Sequence, residues 1–198
     1  MKFVAISQRI DEIRDYGEVR DALDEAWQKF FLQMDAALAP MPNEPAAVRE
    51  LLKRLKPDAI VLSGGNNPAA YGGCTPQRDQ TDEILIRYAI EHDVPLLGVC
   101  RGMQSVALYF GGTLKKAEGH VAVRHALNGE TKREVNSYHG YAVDVPGEQI
   151  RAVSYAMDGT VEEIRHETYR IYGIMWHPER VSGFSSEDMA FIKRILRL

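Results

Sequence analysis

The sequence predicts an α/β fold in which a mostly parallel central sheet carries antiparallel additions at one edge. Short apolar runs alternate with segments of helical periodicity from the N-terminus to about residue 110. The runs are apolar throughout instead of alternating with polar residues, which is typical of parallel strands buried on both faces. The second half is richer in strand and turn patterns, over 135–145 and 151–175. These observations together predict a mixed sheet covered by helices on both faces.

Each element follows from its apolar pattern. A first strand is predicted over 3–6. A long amphipathic helix follows, with apolar residues at helical spacing: Val19, Leu23, Ala26, Trp27, Phe30, Phe31 and Met34. A loop with three prolines comes next: Pro40, Pro42 and Pro45. The remaining elements are a helix over 48–55, a strand over 58–62, a helix around 84–89, a strand over 95–99, a helix over 103–110 and a last helix over 186–198.

Length and composition indicate one soluble domain over 1–198. A net charge of −4 and the short apolar runs give no reason to expect nucleic acid or membrane as a partner. The two cysteines, Cys74 and Cys100, make no disulfide framework. We therefore expect a cytoplasmic protein, because a reducing compartment keeps a reactive thiol free.

A candidate nucleophile lies between a predicted strand and a predicted helix. Gly98-Val-Cys100-Arg-Gly102 has the form G-x-C-x-G, the cysteine version of a nucleophile elbow. Glycines allow the sharp turn, and the N-terminus of the following helix favours a thiolate. A buried structural cysteine at a tight turn is the alternative for this motif alone. Cys74 has no base nearby in sequence, and we expect it to be inert.

A candidate base and its orienting carboxylate follow the apolar strand that ends near residue 176. Pro178 favours an extended conformation of His177, which places His177 and Glu179 on the same side of the chain. The carboxylate can then hold one imidazole nitrogen while the other accepts the thiol proton. A surface histidine at a strand end is the alternative when this segment is considered alone.

These motifs carry a family likeness. Leu97-Gly-Val-Cys-Arg-Gly-Met-Gln104, with Trp176-His-Pro-Glu179 downstream, resembles the class I glutamine amidotransferase superfamily over essentially the whole chain. The resemblance implies a flavodoxin-like three-layer α/β/α fold. It also implies hydrolysis of a γ-glutamyl amide through a thioester, with Cys100, His177 and Glu179 as catalytic triad.

A finer likeness is to the γ-glutamyl hydrolase branch, the C26 peptidases. The segments 62–72 and 135–139 look like the glycine loop and the substrate-carboxylate segment of that branch. The backbone N–H groups of Gly65 and Arg101 would then form the oxyanion hole. The family's glycine loop usually carries an aspartate where Asn66-Asn67 stands. The compact chain looks most like the small hydrolases of capsular phosphoramidate synthesis, which convert γ-glutamyl-CDP-amidate to glutamate and cytidine diphosphoramidate.

Further substrate-binding residues are expected around the motifs. The family likeness places Gln104 at the glutamyl end of the substrate. The segment Asn136-Ser137-Tyr138-His139 could bind a carboxylate or form a plain turn. Arg9, at the end of the first strand, could bind a phosphate, helped by Arg101 or Arg124, or could be a solvated arginine.

The remaining histidines show no metal-ligand spacing. His92 and His166 are expected to be inert, while His120, His125 and His139 could border a cleft. We therefore expect no metal and no cofactor. The expected partner is a small γ-glutamyl substrate, including a nucleotide-linked one, bound by a monomer or homodimer. A γ-glutamyl-GABA-type hydrolase, a glutaminase subunit that supplies ammonia to a synthase, and a binding module on the same fold are the alternatives.

Overall fold

The computed structural model describes residues Met1–Leu198. Thirteen strands are found: β1 Lys2–Ser7, β2 Arg9–Ile13, β3 Glu18–Ala22, β4 Ala36–Met41, β5 Ala59–Leu62, β6 Leu96–Val99, β7 Thr113–Lys116, β8 Val121–Gly129, β9 Glu134–Tyr138, β10 Tyr141–Val145, β11 Ile150–Ala156, β12 Val161–His166 and β13 Ile171–Ile174. The five α-helices are α1 Ala26–Leu32, α2 Pro45–Leu55, α3 Pro76–His92, α4 Arg101–Tyr109 and α5 Ser186–Leu196. No helix has the length and apolar character that a membrane crossing requires.

An eleven-stranded sheet organises the molecule. Its centre is parallel, in the order β4-β1-β5-β6-β13, and β12, β11, β8 and β9 continue it with antiparallel pairing. Strands β5 and β6 are buried along their whole length. Such strands need cover on both faces. Helix α3 packs against both α2 and α4, while α1 packs on β4 and α5 on β6. The predicted mostly parallel sheet with antiparallel additions is confirmed.

The predicted long helix after the first strand is wrong in its first part. Residues 9–22 instead form an antiparallel hairpin of β2 and β3, a two-stranded sheet of its own. Gly17 in the connecting turn has a φ of +68°. Val19, which the helical spacing placed on the buried face, is exposed. Helix α1 begins only at Ala26, whose N–H donates to the Asp24 carboxylate, and it buries Trp27, Phe30 and Phe31, among others.

The predicted proline loop also differs from the structure. Pro40 lies within β4, which is the outermost strand of the parallel centre. An edge strand tolerates proline because one side of its backbone needs no hydrogen-bond donor for a neighbour. Pro45 occupies the first turn of α2, and the Glu44 side chain caps that helix. Proline in a first helical turn removes an N–H that would have no partner within the helix.

Candidate active site

Cys100 lies on a strained turn between β6 and α4. Its φ of 53° and ψ of −107° fall outside the favoured regions for a residue with a side chain. The turn is held by very close backbone packing. A Cβ added to Gly102 would lie 2.1 Å from the Leu62 carbonyl oxygen, and one added to Gly98 would lie 2.5 Å from the Gly102 carbonyl oxygen. Glycine is therefore required at both positions, and this packing fixes Cys100 at the carboxyl end of the parallel sheet.

His177 and Glu179 form a buried pair at the end of the segment that follows β13. His177 Nδ1 lies 2.7 Å from Glu179 Oε1, and both side chains are almost fully buried. His177 has an extended backbone, with φ −112° and ψ 92°, before the short 3-10 turn Pro178–Arg180. The predicted side-by-side arrangement of the two groups is therefore present.

Cys100 and His177 meet at the glycine loop after β5. A Cβ added to Gly64 would lie 2.8 Å from His177 Cε1 and 3.6 Å from Cys100 Cβ. Burial by itself would lower the pKa of His177, but hydrogen bonding and charge from Cys100 and Glu179 outweigh it and raise the pKa to about 9. The raised pKa of His177 favours an imidazolium beside Cys100, which suits a thiolate.

The backbone of His177 is clamped by Asn136 of β9. The amide oxygen of Asn136 accepts from the His177 N–H at 2.7 Å, and its amide nitrogen donates to the His177 carbonyl at 2.8 Å. The Tyr138 ring meets the imidazole edge-on, with centroids 5.7 Å apart. These contacts fix the imidazole's position from the antiparallel part of the sheet.

The two predicted oxyanion-hole donors belong to the glycine loop after β5 and to the first residue of α4. Gly65 N–H belongs to the peptide unit that joins it to Gly64, the residue facing Cys100 and His177. Arg101 is the first residue of α4, so its N–H has no carbonyl partner within the helix. The assignment of these two donors to an oxyanion hole stays a prediction. Gly64 has no side chain, which leaves the space between Cys100 and His177 open.

The Arg101 side chain is not available to a substrate. Its guanidinium is buried and pairs with Asp79 and Asp82 of α3, and it also donates to Ser105 Oγ at 2.9 Å. Burial lowers the pKa of Arg101 to about 9. The expectation that Arg101 helps to bind a phosphate is therefore wrong, because these contacts fix the start of α4 on α3.

A second buried arginine, Arg78 of α3, was not foreseen from the sequence. It donates to the Gly65 carbonyl at 2.8 Å and to the Ser63 carbonyl at 2.7 Å, directly beneath the glycine loop. Burial lowers the pKa of Arg78 to about 9, while the charge of Cys100 opposes that effect. Its position in a polar first turn, Pro76-Gln-Arg-Asp79, carried no signal that distinguishes it from a solvated arginine.

The segment 136–139 uses its side chains within the protein. Asn136 holds His177, Ser137 Oγ donates to the His120 carbonyl at 2.7 Å, and His139 lies between the Tyr141 carbonyl and Glu162. Tyr138 is the exposed member. The prediction that side chains of this segment bind a substrate carboxylate therefore applies to Tyr138 alone. Gln104 is buried and donates to the Tyr141 carbonyl at 2.9 Å.

A cavity of about 200 Å³ opens beside His177 and the glycine loop. It is walled by the hairpin β2–β3, by Trp27 of α1 and by the 3-10 turn. Arg9 lies in this wall as predicted, although it begins β2 and does not end β1. Arg180 provides a second cation, with its guanidinium carbon 4.8 Å from the Tyr138 ring centroid. Arg124 is exposed on β8, pairs with Glu134, and does not line this cavity.

Comparisons with known proteins identify the family and the fold. The family model described as glutamine amidotransferase class-I matches residues 17–196. The γ-glutamyl-CDP-amidate hydrolase of Campylobacter jejuni is 32% identical over 187 residues, which cover 93% of each chain. Among solved structures, a GMP synthase component from Thermoplasma acidophilum superposes with a TM-score of 0.69 at 18% identity, covering 98% of this chain and 93% of that one. A glutamine amidotransferase from Thermotoga maritima gives 0.68 at 15% identity, covering 99% and 84%.

Because their sequence identity is low, the two structural matches provide evidence for the fold alone. They confirm the three-layer fold that the family resemblance implied. The family match covers both the strained cysteine turn and the segment that carries His177 and Glu179. The chain belongs to the glutamine amidotransferase class-I family.

Proposed function

We propose that the protein hydrolyses a γ-glutamyl amide, with Cys100 as nucleophile, His177 as base and acid, and Glu179 as the group that orients His177. In the first half-reaction Cys100 attacks the amide carbon and His177 protonates the departing nitrogen. In the second half-reaction a water molecule, deprotonated by His177, cleaves the thioester and releases glutamate. The adjacent, buried His177–Glu179 pair beside the strained Cys100 turn supports this assignment.

Backbone N–H groups provide the oxyanion stabilisation in this mechanism. Negative charge develops on the carbonyl oxygen only in the tetrahedral intermediates, and we assign the N–H groups of Gly65 and Arg101 as the donors that stabilise it. Arg78 and Arg101 hold the two segments in place from below, through the Gly65 carbonyl and through Asp79 and Asp82.

We further propose γ-glutamyl-CDP-amidate as the substrate, which would yield cytidine diphosphoramidate for capsule modification. The observation that carries this choice is the match to the Campylobacter hydrolase along 93% of both chains. The cavity beside His177 supports it, because Arg9 and Arg180 both line it and a diphosphate needs cationic donors. Arg9 is about half exposed and bound only by Asp11 of the same strand, so its guanidinium can turn to a ligand.

The test compares substrates on the purified chain alone, with products identified by mass spectrometry. We expect turnover of γ-glutamyl-CDP-amidate without any added partner protein. Arg9→Ala should lower kcat/KM for this substrate about 10- to 100-fold, the loss expected for one charge-assisted contact, and leave a small uncharged γ-glutamyl amide almost unaffected. Arg14→Ala is the matched control, because Arg14 is an exposed arginine near the turn end of the same hairpin.

The other outcomes separate the alternatives. Equal sensitivity of both substrates to Arg9→Ala would remove the phosphate assignment and leave the leaving group open. Preference for γ-glutamyl-GABA would make the protein a hydrolase of that type. Silence on every amide, with glutamine hydrolysis appearing only beside a synthase, would make it a glutaminase subunit.

A further inference from the structure

Three histidines and a glutamate meet inside the antiparallel half of the sheet. His120 immediately precedes β8, His125 lies within β8, His139 follows β9, and Glu162 lies on β12. Glu162 is fully buried, His120 and His139 are each 3% exposed, and His125 is the partly exposed member. None of the four lines the cavity beside His177. The proposed hydrolysis uses none of these side chains.

A β-bulge brings the first two histidines together. His120 and His125 are five residues apart, and an odd separation would place them on opposite faces of a regular strand. The register between β8 and β9 shifts between Val121 and Val123, and Ala122 has a φ of +56°. The extra residue turns both imidazoles to the same side, where their ring centroids are 4.8 Å apart. Spacing along the chain therefore could not reveal this cluster.

Three polar atoms of the cluster are buried and make no hydrogen bond of good geometry, although the two nitrogens among them lie 3.4 Å from Glu162 Oε1. They are His120 Nδ1, His125 Nε2 and Glu162 Oε2. Such atoms cost free energy unless something binds them. The ligand atoms that these three residues offer all lie within 4.8 Å of one another. The two unsatisfied imidazole nitrogens and the Glu162 carboxylate thus converge on one small volume.

The outward contacts of the cluster favour a metal ligand set. The other nitrogen of His120, Nε2, lies 2.9 Å from Asp158 Oδ2. Glu162 Oε1 lies 3.4 Å from His120 Nδ1 and from His125 Nε2, and it also lies 3.2 Å from His139 Nε2. Histidine and carboxylate ligands of metals characteristically have such a second partner, which fixes the orientation of the ligand atom.

We propose that His120, His125 and Glu162 bind a divalent transition-metal ion, with zinc the best match to the donors. Two imidazole nitrogens and one carboxylate oxygen form a ligand set that zinc uses, with its fourth position left to water. Asp158 and His139 hold two of the ligands in orientation. The partly exposed side of His125 gives the ion its path from solvent.

The ion would act on the structure around the proposed catalytic histidine. The His120 carbonyl accepts from Ser137 Oγ and from the His139 N–H, so His120 is tied to the segment that carries Asn136 and Tyr138. That segment clamps His177. Zinc at the cluster would therefore rigidify the support of His177 without contacting the substrate.

The experiment measures zinc binding to the full chain carrying Cys100→Ala, so that zinc at the thiol site does not contribute. Protein stripped by a chelator is titrated with zinc chloride against a chromophoric competitor. We expect one zinc per chain, bound tighter than about 1 µM. His125→Ala should abolish this binding, and Asp158→Asn should weaken it about 10- to 100-fold. His92→Ala, on the exposed end of α3, should leave it unchanged.

Cobalt substitution and thermal melting complete the test. Cobalt bound to nitrogen and oxygen ligands in a four-coordinate site should give strong visible absorption that His125→Ala removes. Zinc should raise the melting temperature of the stripped protein and not that of folded His125→Ala. Because Asp158 is largely exposed, Asp158→Asn keeps the test valid should His125→Ala fail to fold. Zinc binding weaker than about 1 µM, or equal zinc binding by Asp158→Asn and the parent, would overturn the proposal. The cluster would then be a hydrogen-bonded group of histidines around Glu162.

Discussion

The two cysteines of this chain occupy opposite environments. Cys100 is buried on a strained turn at the carboxyl end of the central strand β6, beside an imidazole, whereas Cys74 is exposed in a loop. Nucleophilic cysteines need a neighbouring base or cation, and exposure alone does not activate a thiol. The difference between the two environments makes a sharp test of the nucleophile assignment.

The first prediction compares the two thiols directly. Cys100→Ala should remove nearly all turnover of a γ-glutamyl amide, because no other group is placed to form the thioester. Cys74→Ala should change kcat by less than about threefold, under the roughly 1.4 kcal/mol of a tenfold effect. Steady-state kinetics of both variants provide the measurement. Similar losses in the two variants would contradict the assignment.

The second prediction concerns the charge on His177. Its pKa is raised from the ordinary value of about 6.5 to about 9, so the folded protein binds a proton there that the unfolded chain releases. This proton stabilises the folded state fully below about pH 6.5, and the stabilisation is lost as the pH rises towards 9. Glu179→Gln removes one of the groups that raise the pKa of His177, so stability should fall less steeply over this interval.

Urea unfolding at several pH values measures this effect. The slope of unfolding free energy against pH, between about 6.5 and 9, should be smaller for Glu179→Gln than for the parent. Glu83→Gln is the matched control, since Glu83 is half exposed and pairs with Arg87 on the surface of α3. An unchanged slope in Glu179→Gln would mean that His177 titrates independently of this carboxylate.

At the scale of elements, α4 packs very closely against the carboxyl end of β5. The contact passes through Gly102, where any side chain would meet the Leu62 carbonyl. The G-x-C-x-G motif predicted this close approach correctly, because the elbow needs a residue without Cβ after the nucleophile. Arg78 and the Asn136 clamp escaped prediction, since each depends on a partner that is more than ten residues away in sequence.

The third prediction tests this contact. Gly102→Ala should destabilise the protein by about 1–3 kcal/mol or more, the usual cost of forcing extra atoms into a packed interior. Gly140→Ala is the control, because a Cβ there would meet nothing within 4 Å and its φ lies outside the left-handed region. The midpoint of urea unfolding should fall for Gly102→Ala and stay near the parent value for Gly140→Ala. Equal urea midpoints for the two variants would show that α4 can move away from β5 without loss of unfolding free energy.

The hairpin β2–β3 is the element that the sequence did not predict. Its residues carry apolar side chains at spacings compatible with a helix, and only the glycine at position 17 and the charged alternation of 18–21 pointed elsewhere. The hairpin is fixed by contacts from distant loops. Asn66 makes two hydrogen bonds to the backbone of Ile10, and Asn43 donates to the Asp21 carboxylate. Local periodicity contains no information about such partners.

At the scale of the whole molecule, the parallel centre could be predicted and the antiparallel half only outlined. Runs such as Ala59–Leu62 and Leu96–Val99 are buried on both faces, so their composition alone identifies them. Strand order in the other half depends on bulges and register shifts, as in β8 and β11. The histidine cluster lies in that half, which explains why its residues appeared unrelated along the chain.

The hairpin stands apart from the large sheet in one further respect. It pairs only with itself, yet it supplies Arg9 and Ala22 to the wall of the cavity beside His177. The thiol, the imidazole and the carboxylate all reside on segments of the large sheet and its helices. Substitutions in the hairpin can therefore change the size and charge of the cavity wall while leaving the segments that carry the reactive groups unaltered.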